Sequence, residues 1–182
     1  AVLGTCGVAI GLALKDSLGN LASGILILYN KPFKKGDWIE VGGVSGSVDA
    51  INLFNTTLIT ADNKVVVLPN SVASNNPIVN FNGSEIRRLD IVTNVAKGAD
   101  IDVVRELLLK VADADEDVSK DVAAAVYMID PNNCYVNLEL RVWVPATKWW
   151  DVKFRLNENV YNALKDAALL PPNPATDVNL NK

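Results

Sequence analysis

Three groups of residues have types and spacings that bear on chemistry. The run Gly42-Gly43-Val44-Ser45-Gly46 has the glycine content of a loop that cradles phosphate. It lacks the Gly-Lys-Ser/Thr tail and leads into a strand-like run instead of a helix N-terminus, so a turn between strands is the better reading. The acidic residues Asp113, Asp115, Glu116 and Asp117 have the chemistry to collect a hard cation. The loop glycine and terminal Glu of calcium spacing are missing, which leaves a solvated helix end. Trp149-Trp150 offers a stacking surface for a base or sugar, yet two indoles at a helix start more often divide between core and interface. The chain has no histidine, which removes Ser-His-Asp and Cys-His pairs, and no Gly-x-Ser-x-Gly elbow occurs. No catalytic residue, cofactor site or metal ligand is assigned, and the chain is not read as an enzyme.

The patterns that remain concern packing and solvent. Gly4, Gly7 and Gly11 recur at spacings of three and four, while Ala1, Thr5, Ala9 and Ala13 recur at four on a second stripe. Small stripes let helix backbones approach closely in lipid, where packing drives association. In a soluble core so many helical glycines would cost up to ~1 kcal/mol each relative to alanine. Val8 and Leu12, at i and i+4, project together between the two stripes. Lys15-Asp16 then interrupts the apolar run, marking either the membrane boundary or a functional break in the helix. The second half, with Leu18, Leu21, Ile25 and Leu28 against Asn20 and Ser23, suits a helix lying along the interface. Lys31, Lys34 and Lys35 follow, the flank that favours the cytoplasmic side and anionic headgroups.

The elements that position these residues fall into zones. A helix to about Leu14, interrupted at Lys15-Asp16-Ser17, resumes over Leu18 to Tyr29 and ends before Pro32. The first part alone reaches only roughly 20 Å, short of the ~30 Å hydrocarbon core. We therefore expect further residues, and further membrane helices, before Ala1. Gly36 to Phe81 reads as an all-β module with strands Trp38 to Val41, Val44 to Ile51, Thr56 to Thr60 and Val65 to Leu68, and a tight hairpin at Asp62-Asn63. From Arg88 the order is β-α-β-β-α, the ferredoxin-like arrangement, with Ile101, Val104, Leu108 and Val111 on one helical face. Its strands run Leu89 to Val95, Val122 to Ile129 and Tyr135 to Val144, and the last helix Trp149 to Ala168. A final strand, Thr176 to Leu180, follows Pro171, Pro172 and Pro174.

The totals agree with this organisation. With 182 residues, 49% apolar and 21% charged, the chain buries a core in one or two compact domains. A formal charge of −4 leaves no basic surface for nucleic acid. Cys6 and Cys134 read as small buried thiols in a reducing compartment, not as a disulfide.

The run Gly11-Leu12-Ala13-Leu14-Lys15-Asp16-Ser17-Leu18-Gly19-Asn20-Leu21-Ala22-Ser23-Gly24, followed by Lys31-Pro32-Phe33 and Gly36-Asp37, resembles the third transmembrane helix and exit of MscS-like mechanosensitive channels. Val41 to Val48, Thr56-Thr57, Leu68-Pro69-Asn70-Ser71, Asn80-Phe81 and the tail Asp177-Val178-Asn179-Leu180 carry the same resemblance. It implies a membrane α plus α+β fold: a pore-lining transmembrane helix over 1–31, an Sm-like β-domain over 32–82, a ferredoxin-like α/β vestibule domain over 83–170, and a C-terminal strand over 171–182 in an oligomeric β-barrel. It also implies a homoheptamer in a bacterial inner membrane, with residues after about 31 in the cytoplasm. Such a channel opens under bilayer tension and releases ions and small solutes on hypo-osmotic shock. By the same resemblance Gly4, Gly7 and Gly11 pack against Ala1, Thr5 and Ala9 of a neighbouring copy, and Val8 and Leu12 form the pore seal. Asp16, beside Lys15, occupies the family's glycine kink, and Gly24 aligns with its second flexible glycine. Membrane lipid, other copies and the permeating ions and solutes are the implied partners. The competing reading is a soluble or peripheral oligomeric scaffold of Sm-like and ferredoxin-like modules without conductance.

Overall fold

The computed structural model describes residues 2–131 and 135–171. The expected last strand, Thr176 to Leu180, and Cys134 lie outside the described residues. The chain divides into two compact units, residues 1–84 and 85–182.

In the first unit a single helix, α1 (Val2–Asn30), leads into strands β1 (Trp38–Val41), β2 (Val44–Ile51), β3 (Asn55–Ile59) and β4 (Val65–Pro69). A short helix α2 (Asn70–Asn75) and strand β5 (Ile78–Asn80) complete it. All pairings are antiparallel, in the order β4-β3-β2-β1-β5. The turn reading of Gly42-Gly43 holds: Val41 pairs with Val44, and both glycines take positive φ, 59° and 79°, as a two-residue hairpin of the I′ kind requires. At the other hairpin Asn63 takes a φ of 60°, while Thr60 Oγ1 accepts from Lys64 N at 3.0 Å and donates to Asp62. The core gathers Ile27 of α1 with Phe33, Ile39, Val41, Val48, Leu58, Leu68 and Ala73.

Two expectations about this unit are corrected. The helix does not break at Lys15-Asp16-Ser17 but runs hydrogen-bonded through them. Charged side chains on an exposed helical surface cost little there, and a break calls for Pro, a bulge or an inserted group. At ~1.5 Å per residue the continuous helix exceeds the ~30 Å that its first part alone fell short of. In addition, α2 and β5 were not anticipated, being too short to show a period of their own.

The second unit has the β-α-β-β-α order read from the sequence: β6 (Ile86–Ala96), α3 (Ile101–Ala114), β7 (Ala125–Pro131), β8 (Tyr135–Pro145) and α4 (Trp149–Asp166). β8 lies between β6 and β7 and is antiparallel to both, so α3 is the crossover of a split β-α-β unit. Along β8 the buried residues alternate, Val136, Leu138, Leu140, Val142 and Val144, which presents one face to the helices. α3 returns Val104, Leu108 and Ala112, and α4 returns Val152, Leu156, Val160 and Leu164, each a strict i, i+4 stripe. Asp100 caps α3, accepting from Asp102 N at 3.0 Å.

The acidic run is also corrected. Asp115 is not a solvated helix end; its side chain is 2% exposed and accepts from Arg155 Nε at 2.8 Å and Nη2 at 2.7 Å. Arg155 reaches Asp117 as well, at 2.9 Å, and Lys148 binds the same carboxylate. α4 and Lys148 just before it thus supply the counter-charges that the α3–β7 connection needs. The two indoles do divide as expected: Trp149 packs on the core and donates Nε1 to Arg88 O, while Trp150 is exposed.

Candidate pore helix and its anchor

The candidate site is α1, and its two halves are in different situations. Every described side chain from Cys6 to Gly19 is exposed. That corrects the reading of Cys6 as a buried thiol, because none of the described residues of the chain covers this half of the helix. Val8 is 73% and Leu12 72% exposed, one turn apart on a shared side. At Gly4, Gly7 and Gly11 an added Cβ would meet nothing within 4 Å. Ala9 is exposed beside them. Ala1 lies outside the described residues, as does the side chain of Thr5. Lys15 and Asp16 are both exposed, and Asn20 Nδ2 donates back to Asp16 O at 3.0 Å.

The second half is anchored to the β-sheet unit. Asn20 Oδ1 accepts from Ser71 N at 2.9 Å, joining α1 to the first turn of α2. Gly24 is buried where α1 meets the β2–β3 turn: a Cβ there would lie 2.4 Å from Leu53 O and 2.5 Å from Asn70 Nδ2. The close approach of two backbones gives Gly24 a packing reason. Ile27, one turn on, enters the core.

Asn70 organises this junction. It is wholly buried, and its amide nitrogen donates to Asn52 O at 2.9 Å and Leu53 O at 3.0 Å. Its Oδ1 accepts from Thr56 Oγ1 at 2.9 Å, and its backbone N donates to Phe54 O. A buried amide with every group satisfied stabilises one geometry; any one partner removed leaves a desolvated group at a cost of ~1–3 kcal/mol. Neither Asn70 nor Asn20 was singled out as a site residue from the sequence. The available signal was two asparagines inside runs that carry the family resemblance, Gly19-Asn20 and Leu68-Pro69-Asn70-Ser71.

The helix ends at Lys31, which takes a φ of 49° and donates its N–H to Ile27 O at 2.8 Å, with Pro32 following. A left-handed residue followed by proline is a common helix stop. Buried Asp37 then holds the next turn, accepting from Lys34 N at 3.1 Å and Asn80 Nδ2 at 2.9 Å. Lys31, Lys34 and Lys35 are left exposed, with Lys35 in a 3.5 Å surface ion pair to Asp49. The stretch Cys6–Asn30 is long and apolar enough to cross a membrane, and only 17% of its most apolar window is buried. Among the described residues no group of His, Cys, Asp and Glu is placed to hold a metal.

Comparison with known proteins bears on this arrangement. A family model described as the β-domain of mechanosensitive ion channels matches residues 16–83, and one described as the C-terminal domain of the mechanosensitive ion channel MscS matches residues 89–169. A small-conductance mechanosensitive channel of Edwardsiella ictaluri is 41% identical over 174 residues, covering 96% of this chain and 61% of that protein. One of Helicobacter pylori is 39% identical over 164 residues, covering 90% of this chain and 60% of that protein. The chain therefore spans about three fifths of these relatives' length. The crystal structure of Helicobacter pylori MscS in its closed state superposes with a TM-score of 0.87 at 36% identity, covering 100% of this chain and 72% of that one.

Proposed function

Since this chain belongs to the MscS family of small-conductance mechanosensitive channels, we propose that it forms the pore and cytoplasmic part of a channel opened by membrane tension, releasing ions and small solutes on hypo-osmotic shock. The family is one of ion channels, not enzymes. In this reading several copies, seven by family resemblance, surround one axis in a bacterial inner membrane, with the residues after about 31 in the cytoplasm. The observation that carries it is the state of α1: Val8 and Leu12 stand out from a half-helix whose Gly4, Gly7 and Gly11 face open space. Copies packed through Gly4, Gly7, Gly11, Ala1, Thr5 and Ala9 bring their Val8 and Leu12 side chains together as two apolar rings. A narrow apolar ring empties of water and stops conduction, and widening it restores the water column. Lys15, Asp16 and Gly24 are the proposed points of helix bending, and Lys31, Lys34 and Lys35 the contacts with lipid headgroups.

Leu12→Ser in the full-length protein tests the seal. Patch recordings from liposomes should give a lower tension threshold or a standing leak, and an unchanged threshold would refute the assignment of Leu12. A discrete ring with no conductance at any tension would instead support the scaffold reading.

A further inference from the structure

The β2–β3 turn has a composition that the channel reading does not use. Leu53 and Phe54, two consecutive large apolar residues at its tip, are 55% and 49% exposed. Consecutive exposed apolar residues in a turn call for a reason, since turns favour polar ones. The carbonyls beneath them are all satisfied. Asn52 O and Leu53 O accept from the Asn70 side chain, Phe54 O from Asn70 N, and Asn55 O from Asn52 N. Asn52 Nδ2 also donates to Asn55 Oδ1 at 2.9 Å. All four carbonyls of the turn are thus bonded within the protein, which is the condition for placing backbone in an apolar medium without an orphaned acceptor.

The turn's position supplies the medium. Leu53 O abuts Gly24, and Gly24 lies within the Cys6–Asn30 stretch, six residues or about 9 Å from its C-terminal end. Lys35 stands at the same end of β2, beside Asp49, with Lys31 and Lys34 close in sequence and also exposed. Apolar tips flanked by lysines are the composition of an element that sits in the headgroup and acyl boundary of an anionic bilayer.

We propose that the Leu53-Phe54 turn is a lipid-contacting finger, through which the β-domain itself touches the bilayer surface next to the end of α1. The inference rests on the membrane placement of α1. The test uses the full-length protein with Cys6→Ser and Cys134→Ser, labelled with an environment-sensitive fluorophore at Phe54→Cys, at Leu18→Cys on α1, or at Asp62→Cys on the β3–β4 turn. Each is reconstituted in phosphatidylethanolamine and phosphatidylglycerol vesicles carrying doxyl lipid near the headgroup. Position 54 should be quenched at least about twofold more than position 62. Quenching at 54 equal to that at 62 overturns the proposal. A blue-shifted label at 54 that lipid does not quench overturns it too, since protein then covers the turn. If position 18 is also unquenched, the membrane reading of α1 has failed; if 18 is quenched and 54 is not, only the finger has. Leu53→Cys replaces Phe54→Cys should that variant not fold.

Discussion

Two glycines of α1, five residues apart, answer to different constraints. At Gly19 a Cβ would enter open space, while at Gly24 it would strike Leu53 O at 2.4 Å and Asn70 Nδ2 at 2.5 Å. Neither obstacle is the end of a flexible side chain: one is backbone, and the other is the amide that holds the turn. Gly24→Ala is therefore expected to destabilise the protein by ~1–3 kcal/mol, the range for overpacking a close contact. Gly19→Ala should be neutral or stabilising by up to ~1 kcal/mol through helix propensity. Denaturation midpoints of the two variants in detergent check this, and equal midpoints would mean that the β2–β3 turn yields. Alignment with a flexible family glycine suggested a hinge at Gly24; the packing adds that α1 is held there in this conformation, so bending at that point requires the turn to move as well.

At the scale of elements, most of the strands and both helices of the second unit were legible because burial imposes a period. Val152, Leu156, Val160 and Leu164 repeat every four residues, and the β8 core residues every two. The anchor of α1 was not legible, because its bonds join residues far apart: 51 positions separate Asn20 from Ser71, and 17 separate Asn70 from Leu53. No local pattern encodes such a pairing. The α3–α4 link was misread for the same reason, since Asp115 and Arg155 are 40 positions apart and Asp115 looks like part of a solvated acidic run. Arg155 lowers the Asp115 carboxyl below the usual range, and Lys148, then Arg155, lower that of Asp117. The same contacts raise Arg155 and Lys148. A carboxylate depressed on folding contributes stability above its unfolded value, near ~4, and loses that contribution as pH falls through its folded value. Arg155→Ala, which strands a buried carboxylate, should cost ~1–3 kcal/mol at neutral pH. The gap from the parent should narrow below about pH 4. Unfolding followed at pH 7 and pH 3 measures it, and a gap that persists undiminished in acid would assign Arg155 a packing role alone.

For the whole molecule, the exposure of α1 separates what one chain accomplishes from what assembly must supply. Each unit closes its own core, yet the described side chains from Cys6 to Gly19 touch solvent throughout. An apolar helix that none of the described residues covers would, in the proposed channel, take its surroundings from lipid and from other copies. In the proposed channel the open space at Gly4, Gly7 and Gly11 is room for a neighbouring backbone, and would set how closely copies approach and how freely one helix slides past the next. Gly11→Val places a branched side chain in that room while leaving the chain's own contacts intact, because nothing lies within 4 Å of the added Cβ. Stability of the single chain should change little, apart from the modest helix preference of Val over Gly. The tension threshold should rise, since helices that must slide on opening now meet a steric step. Recordings from liposomes that show easier opening would contradict packing through this stripe, and would indicate that Gly11 contributes flexibility to α1 and not contact.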